Sequence, residues 1–117
     1  ISNAAREPEI LDLAHFLNAC GAQISGAGTD LITVVGVDGL GGCEHVTIPD
    51  RIEAGTFMIA AVATHGDITL THANADHLPN FISKLRESGA EVETTGTSIR
   101  VAAKNGFKAV KVETLPY

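Results

Sequence analysis

Tryptophan is missing from the 117-residue sequence, and aromatic residues make up only 4% of it. Without large rings, a core has to be closed by aliphatic side chains, chiefly Ile, Val, Leu and Ala. Basic residues are also scarce: eight Lys and Arg against fourteen Asp and Glu, a net charge of −6 without blocks of like sign. A nucleic-acid interface or a basic membrane-surface helix needs the opposite balance, so neither partner is expected. No apolar run reaches the roughly eighteen residues of a membrane span, and the N-terminus lacks the charged and apolar regions of a secretory signal. The cytoplasm is the expected compartment. Two cysteines, Cys20 and Cys43, are too few for a disulfide scaffold. Cys20 ends an apolar stripe and reads as a small core residue. Cys43 follows glycines and precedes Glu44 and His45, a mixed setting for a reactive thiol. His15, His45, His65, His72 and His77 lack zinc-site spacing, so no metal is expected.

What is present is a succession of short, well-punctuated elements, enough for one compact α/β domain. Arg6-Glu-Pro-Glu9 opens a helix in which Pro8 costs nothing, because the first turn has no donor to lose. Ile10, Leu13, Ala14 and Leu17 form its apolar face, and Gly21 closes it. Gln23–Ser25, a glycine turn and 31–35 read as a β-hairpin. Gly36–Gly42, with four glycines in seven residues, reads as a linker. A strand is expected at 45–48, a helix over 51–64 ended by Gly66, and an alternating strand at 67–71. Asp76 is expected to cap a third helix with Leu78, Phe81, Ile82 and Leu85 on one face. A second hairpin follows over 91–102, and a last strand at 108–112.

The stretch Ile48-Pro-Asp-Arg-Ile-Glu-Ala-Gly-Thr-Phe57 concentrates the chemistry. Asp50 is an N-cap, and Glu53, three residues on, has capping-box spacing. That places Asp50, Arg51 and Glu53 at the mouth of a helix, a setting suited to anionic ligands. Arg6, Glu7 and Glu9 crowd the start of the first helix in the same way, although acidic residues favour such positions with or without a function. Gly26-Ala-Gly28 lies in a hairpin rather than between strand and helix, which excludes a dinucleotide loop.

Leu17, Gly21, Ala22, Ile24, Gly28, Thr29 and Leu31 recur 68 residues later as Leu85, Gly89, Ala90, Val92, Gly96, Thr97 and Ile99. Residues 45–103 then form one βαβαββ unit, and 1–37 supply only the last αββ of a preceding one. The expected division is 1–44, the end of a first domain plus a junction, and 45–117, the first unit of a second domain and the start of another. On this reading the chain is a fragment.

Asn3-Ala-Ala-Arg-Glu-Pro-Glu-Ile10, Gly26-Ala-Gly-Thr-Asp30, Pro49-Asp-Arg-Ile-Glu-Ala-Gly-Thr-Phe57 and Lys84-Leu-Arg-Glu-Ser-Gly-Ala90 closely resemble UDP-N-acetylglucosamine enolpyruvyl transferases. The resemblance covers essentially the whole chain in matching order. It implies an inside-out α/β barrel of βαβαββ units, six of them in two domains. It also implies transfer of enolpyruvyl from phosphoenolpyruvate to the 3′-hydroxyl of UDP-N-acetylglucosamine, the first committed step of peptidoglycan synthesis, without metal or organic cofactor. The family's catalytic cysteine loop lies upstream of Ile1, and Cys43 does not match it. Its catalytic aspartate follows a proline-rich stretch that Thr114-Leu-Pro-Tyr117 begins. No catalytic residue is therefore expected here, and Asp50, Arg51, Glu53, Arg6, Glu7 and Glu9 are the substrate-cleft candidates. The remainder of the same polypeptide is the implied partner. A 5-enolpyruvylshikimate-3-phosphate synthase-like enzyme and a non-catalytic repeat domain are the alternatives.

Overall fold

The structure, a computed structural model, describes residues 1–114 and 117. Leu115 and Pro116, read above as the start of a proline-rich stretch, lie outside them. The chain divides into two compact units that meet in sequence between Ile48 and Pro49. His45 explains why the division falls beyond the glycine-rich segment. Its ring bonds to Asp12 at 3.0 Å and packs against Phe16, holding 43–45 with the first unit.

The first unit carries helix α1 (Pro8–Ala19) and the antiparallel pair β1 (Gln23–Ser25) and β2 (Thr33–Val35). Among the described residues its buried apolar side chains are few: Ala14 on α1 and Ile32 before β2. Leu13, on the predicted apolar face of α1, is 51% exposed. Pairing in this hairpin begins later than the sequence suggests, and Leu31 makes only an isolated bridge to Ser2.

The second unit is α2 (Arg51–Ala63), β3 (Asp67–Thr71), a 3₁₀ turn (Ala75–His77), α3 (Pro79–Ser88), β4 (Glu91–Thr95) and β5 (Ser98–Ala102). The strands form one antiparallel sheet in the order β3-β5-β4. Met58 of α2, Ile82 and Leu85 of α3, Val92 of β4, and Ile99 and Val101 of β5 close a single aliphatic core. Burying side chains of this size stabilises by about 1.5–3 kcal/mol each.

The internal repeat is visible in hydrogen bonds. Gly21 and Gly89 both sit at φ +103°. Gly21 N–H donates to Asn18 and Ala22 N–H to Leu17; 68 residues on, Gly89 donates to Arg86 and Ala90 to Leu85. Both are Schellman closures, which need a left-handed residue and therefore favour glycine. The side chain one turn earlier also plays the same part twice. Asn18 Nδ2 donates to the Ile24 carbonyl at 2.8 Å, and Arg86 Nη2 donates to the Val92 carbonyl at 2.7 Å. The correspondence slips by one residue in the returning strand: Ile24 faces Val34, whereas Val92 faces Val101.

Several local expectations are corrected. Residues 45–48 are not a strand, and neither are 108–112. Val46 is 91% exposed, among the described residues no strand pairs with 45–48, and a strand without a partner leaves its backbone groups unsatisfied. The second unit is thus αβαββ rather than βαβαββ. Helix α2 closes through His65, at φ +56°, and not through Gly66, whose N–H instead returns to Ala61. Asp76 does not cap α3. Asn74 caps the 3₁₀ turn by accepting from Asp76 N–H at 3.0 Å, and α3 starts afresh at Pro79.

Candidate functional site

Two helix starts carry the candidate residues, one in each unit. At α2, Asp50 adopts extended backbone and its Oδ1 accepts from Ile52 N–H at 2.8 Å and Glu53 N–H at 3.1 Å. Two of the helix's orphan donors are satisfied by one carboxylate oxygen. The reciprocal half of a capping box, Glu53 to the Asp50 N–H, is not formed among the described residues. Glu53 is instead exposed in the first turn. Arg51 stands between them, half-buried. One helical turn thus presents a cation and two carboxylates at the positive end of the helix dipole.

At α1, Glu7 occupies the N-cap position without a side-chain cap bond, and its Oε2 is buried without a hydrogen-bond partner. Pro8 begins the helix and Glu9 lies in its first turn. Arg6 reaches Asp30, in the hairpin turn, at 4.0 Å with both side chains exposed. So separated an exposed pair contributes little. The structure therefore gathers Asp50, Arg51 and Glu53 on one turn and Arg6, Glu7 and Glu9 around another, in separate units.

One feature of the first unit was not signalled by the sequence. His45 Nε2 lies 3.0 Å from Asp12 Oδ1, with both side chains mostly buried, beside a cleft of about 280 Å³ lined by Glu9, Leu13, Phe16 and Thr47. The partners are 33 residues apart, and nothing local links them. Among the described residues no three His, Cys, Asp or Glu side chains converge as a metal site, and no helix is long and apolar enough to cross a membrane.

A mixed α/β chain with antiparallel sheets and charged helix starts is consistent with the transferase resemblance carried by its motifs, and the comparison with known families identifies the class. The chain belongs to the EPSP synthase (3-phosphoshikimate 1-carboxyvinyltransferase) family, whose model matches residues 1–117. Within that class its relatives are more specific. It is 52% identical to a UDP-N-acetylglucosamine 1-carboxyvinyltransferase of Halothermothrix orenii, 53% to one of Finegoldia magna and 55% to one of Pasteurella multocida. Each match covers the whole of this chain and 28% of the relative, so the chain spans little more than a quarter of the length of these curated relatives.

Proposed function

We propose that this chain is a segment of an enolpyruvyl transferase whose acceptor is UDP-N-acetylglucosamine. The observation that carries the proposal is identity above 50% along the entire chain to enzymes of that name. The reaction is addition followed by elimination. The acceptor 3′-hydroxyl oxygen bonds to C2 of phosphoenolpyruvate and loses its proton to a base, while C3 gains one. C3 then gives up a proton and the C2–O bond to phosphate breaks. Such a course needs an acid, a base and cationic clamps on the phosphate.

The residues in hand serve binding rather than bond-making. Asp50 fixes the first turn of α2, and that turn carries Arg51 and Glu53 into a substrate cleft. Arg6, Glu7 and Glu9, at the start of α1, are further substrate-binding candidates. The first unit ends one domain of the enzyme and the second opens the next, within an inside-out α/β barrel. The enzyme works in the cytoplasm, in the first committed step of peptidoglycan synthesis, without a cofactor.

The test is acceptor choice in the full-length protein that contains this segment. Phosphate release from phosphoenolpyruvate should require UDP-N-acetylglucosamine. Release that instead requires shikimate 3-phosphate would assign the sister activity. No release with either acceptor would leave a non-catalytic repeat protein. The 117-residue chain by itself should release none.

A further inference from the structure

Cys20 and Cys43 are 23 residues apart in sequence, yet their sulfurs lie 3.3 Å from each other. Both are free thiols and half-buried. The contact is built from two sides. Cys20 ends α1 with its N–H on the Phe16 carbonyl at 3.1 Å, and the Cys43 sulfur lies 3.7 Å from that same carbonyl. Gly41 N–H donates to the Cys20 carbonyl at 2.7 Å, so the glycine-rich segment is bonded to the helix end two residues before Cys43. We propose that Cys20 and Cys43 are a redox modification site, a dithiol that closes to an intramolecular disulfide on exchange with a small disulfide such as oxidised glutathione.

The exchange balances. The thiolate of one cysteine attacks a glutathione sulfur, forming a mixed disulfide and releasing one glutathione thiolate. The second cysteine sulfur then attacks the protein sulfur of that mixed disulfide, forming the Cys20–Cys43 bond and releasing the second glutathione. Two electrons pass from the cysteines to the glutathione disulfide, and the two thiol protons end on the two reduced glutathiones.

A disulfide bond is about 2.05 Å long, so the sulfurs must close by roughly 1 Å. The backbone ahead of Cys43 can supply this. Gly41 and Gly42 lie outside any helix or strand, and a Cβ at Gly42 would meet nothing within 4 Å. The hydrogen bond to Cys20, followed by desolvation, holds the Cys43 thiol above its ordinary range, so less of its thiolate is available to begin the exchange. Closure would tie the 36–42 segment to the end of α1.

The intact chain, equilibrated with reduced and oxidised glutathione and quenched in acid, tests this by peptide mapping. Cleavage before Asp30 and Asp38 puts the two cysteines on separate peptides that only a disulfide can join. The Cys20–Cys43 peptide pair should exceed glutathione adducts by about tenfold or more, because the second thiol is tethered at millimolar or higher effective concentration. In Cys20→Ser and Cys43→Ser the remaining thiol should stop at the glutathione adduct. Adducts without the joined pair in the unsubstituted chain, or thiols untouched at a poise that modifies either serine variant, would overturn the proposal. If the serine variants do not fold, the map of the unsubstituted chain decides alone: joined peptides support the proposal, and their absence at an oxidising poise overturns it.

Discussion

The chain holds two versions of one helix–hairpin segment, and they differ in what surrounds them. In the second unit α3, β4 and β5 lie with α2 and β3, and Ile99 and Val101 are completely buried. In the first unit, among the described residues, α1, β1 and β2 have no further helix or strand as companion within the unit. Leu31, the repeat counterpart of Ile99, is 57% exposed, and Val34 and Val35 are more than half exposed. The helix ends are nevertheless alike, down to the same pair of closing hydrogen bonds 68 residues apart. Local geometry is therefore specified by local sequence in both copies, whereas burial depends on what the rest of the unit provides.

The strongest way to break this comparison is to truncate the matched pair. Ile99→Ala should lower unfolding free energy by about 3 kcal/mol, since it leaves a cavity in a closed core. Leu31→Ala should cost less than about 1 kcal/mol, because its side chain is already largely in water. Urea unfolding, read by amide exchange in each unit, measures both. Equal losses would mean that the first hairpin is as firmly packed as the second.

A sharper version removes burial from the comparison. Gly21→Ala and Gly89→Ala both force a Cβ into the left-handed region, and neither glycine has an atom within 3.5 Å of the added carbon. Each should cost about 1 kcal/mol, and the two should agree. A twofold difference would show that the shared Schellman closure is not energetically local.

Electrostatics separate the units again. In the second, Arg100 grips Asp67 through two bonds of 2.9 and 2.8 Å, Lys104 adds a contact at 2.9 Å, and Glu93 lies 3.3 Å from Arg100. The Arg100 guanidinium, with Lys104 beside it, brings the Asp67 carboxyl down to about 2. An unfolded aspartate titrates near 3.9, so the native state binds this proton less readily. The stabilisation is complete above that value and is lost as pH falls from about 4 to about 2. Asp67→Asn should therefore lower the urea midpoint at neutral pH, and the gap from the parent chain should narrow over that acid window. Asp30→Asn, which removes only the exposed Arg6–Asp30 pair at 4.0 Å, should leave the urea midpoint at neutral pH nearly unchanged.

Much of this was legible in the residues. The face of α3 announced itself through Leu78, Phe81, Ile82 and Leu85, and the structure buries three of them and half-buries Phe81. Asp50 was recognisable as a cap because capping is a three-residue interaction. The family was legible because its motifs are long and run in order. What failed was whatever depended on distant partners. The β-branched residues of 45–48 favour a strand, but among the described residues no strand pairs with them. The sulfur pair and the His45–Asp12 pair were hidden because the turn after α1 and the glycine-rich segment bring together residues more than twenty positions apart. Gly66 was a reasonable helix stop, yet the left-handed position fell one residue earlier, on His65.

The smallest expected stability effect bears most directly on function, and it rests on the two helix starts. Helix α1 begins at Glu7 without a side-chain cap, whereas α2 begins at Asp50 with two bonds to its carboxylate. Asparagine caps about as well as aspartate, so Asp50→Asn should change stability by only a few tenths of a kcal/mol, while Asp50→Ala should cost about 1 kcal/mol. Glu53→Gln should be equally mild, because the Glu53 carboxylate takes no part in the cap. If both carboxylates face substrate in the full-length enzyme, each amide variant removes charge while leaving the turn intact, and kcat/KM should fall without a matching fall in melting temperature. Glu7→Gln supplies the contrast at α1, where no cap bond is lost. Measuring melting temperature and turnover on the same full-length variants separates the two roles. Unchanged turnover in Asp50→Asn and Glu53→Gln would leave Asp50 as the cap of α2 and Glu53 as a solvated carboxylate, and would move the substrate cleft away from this helix start.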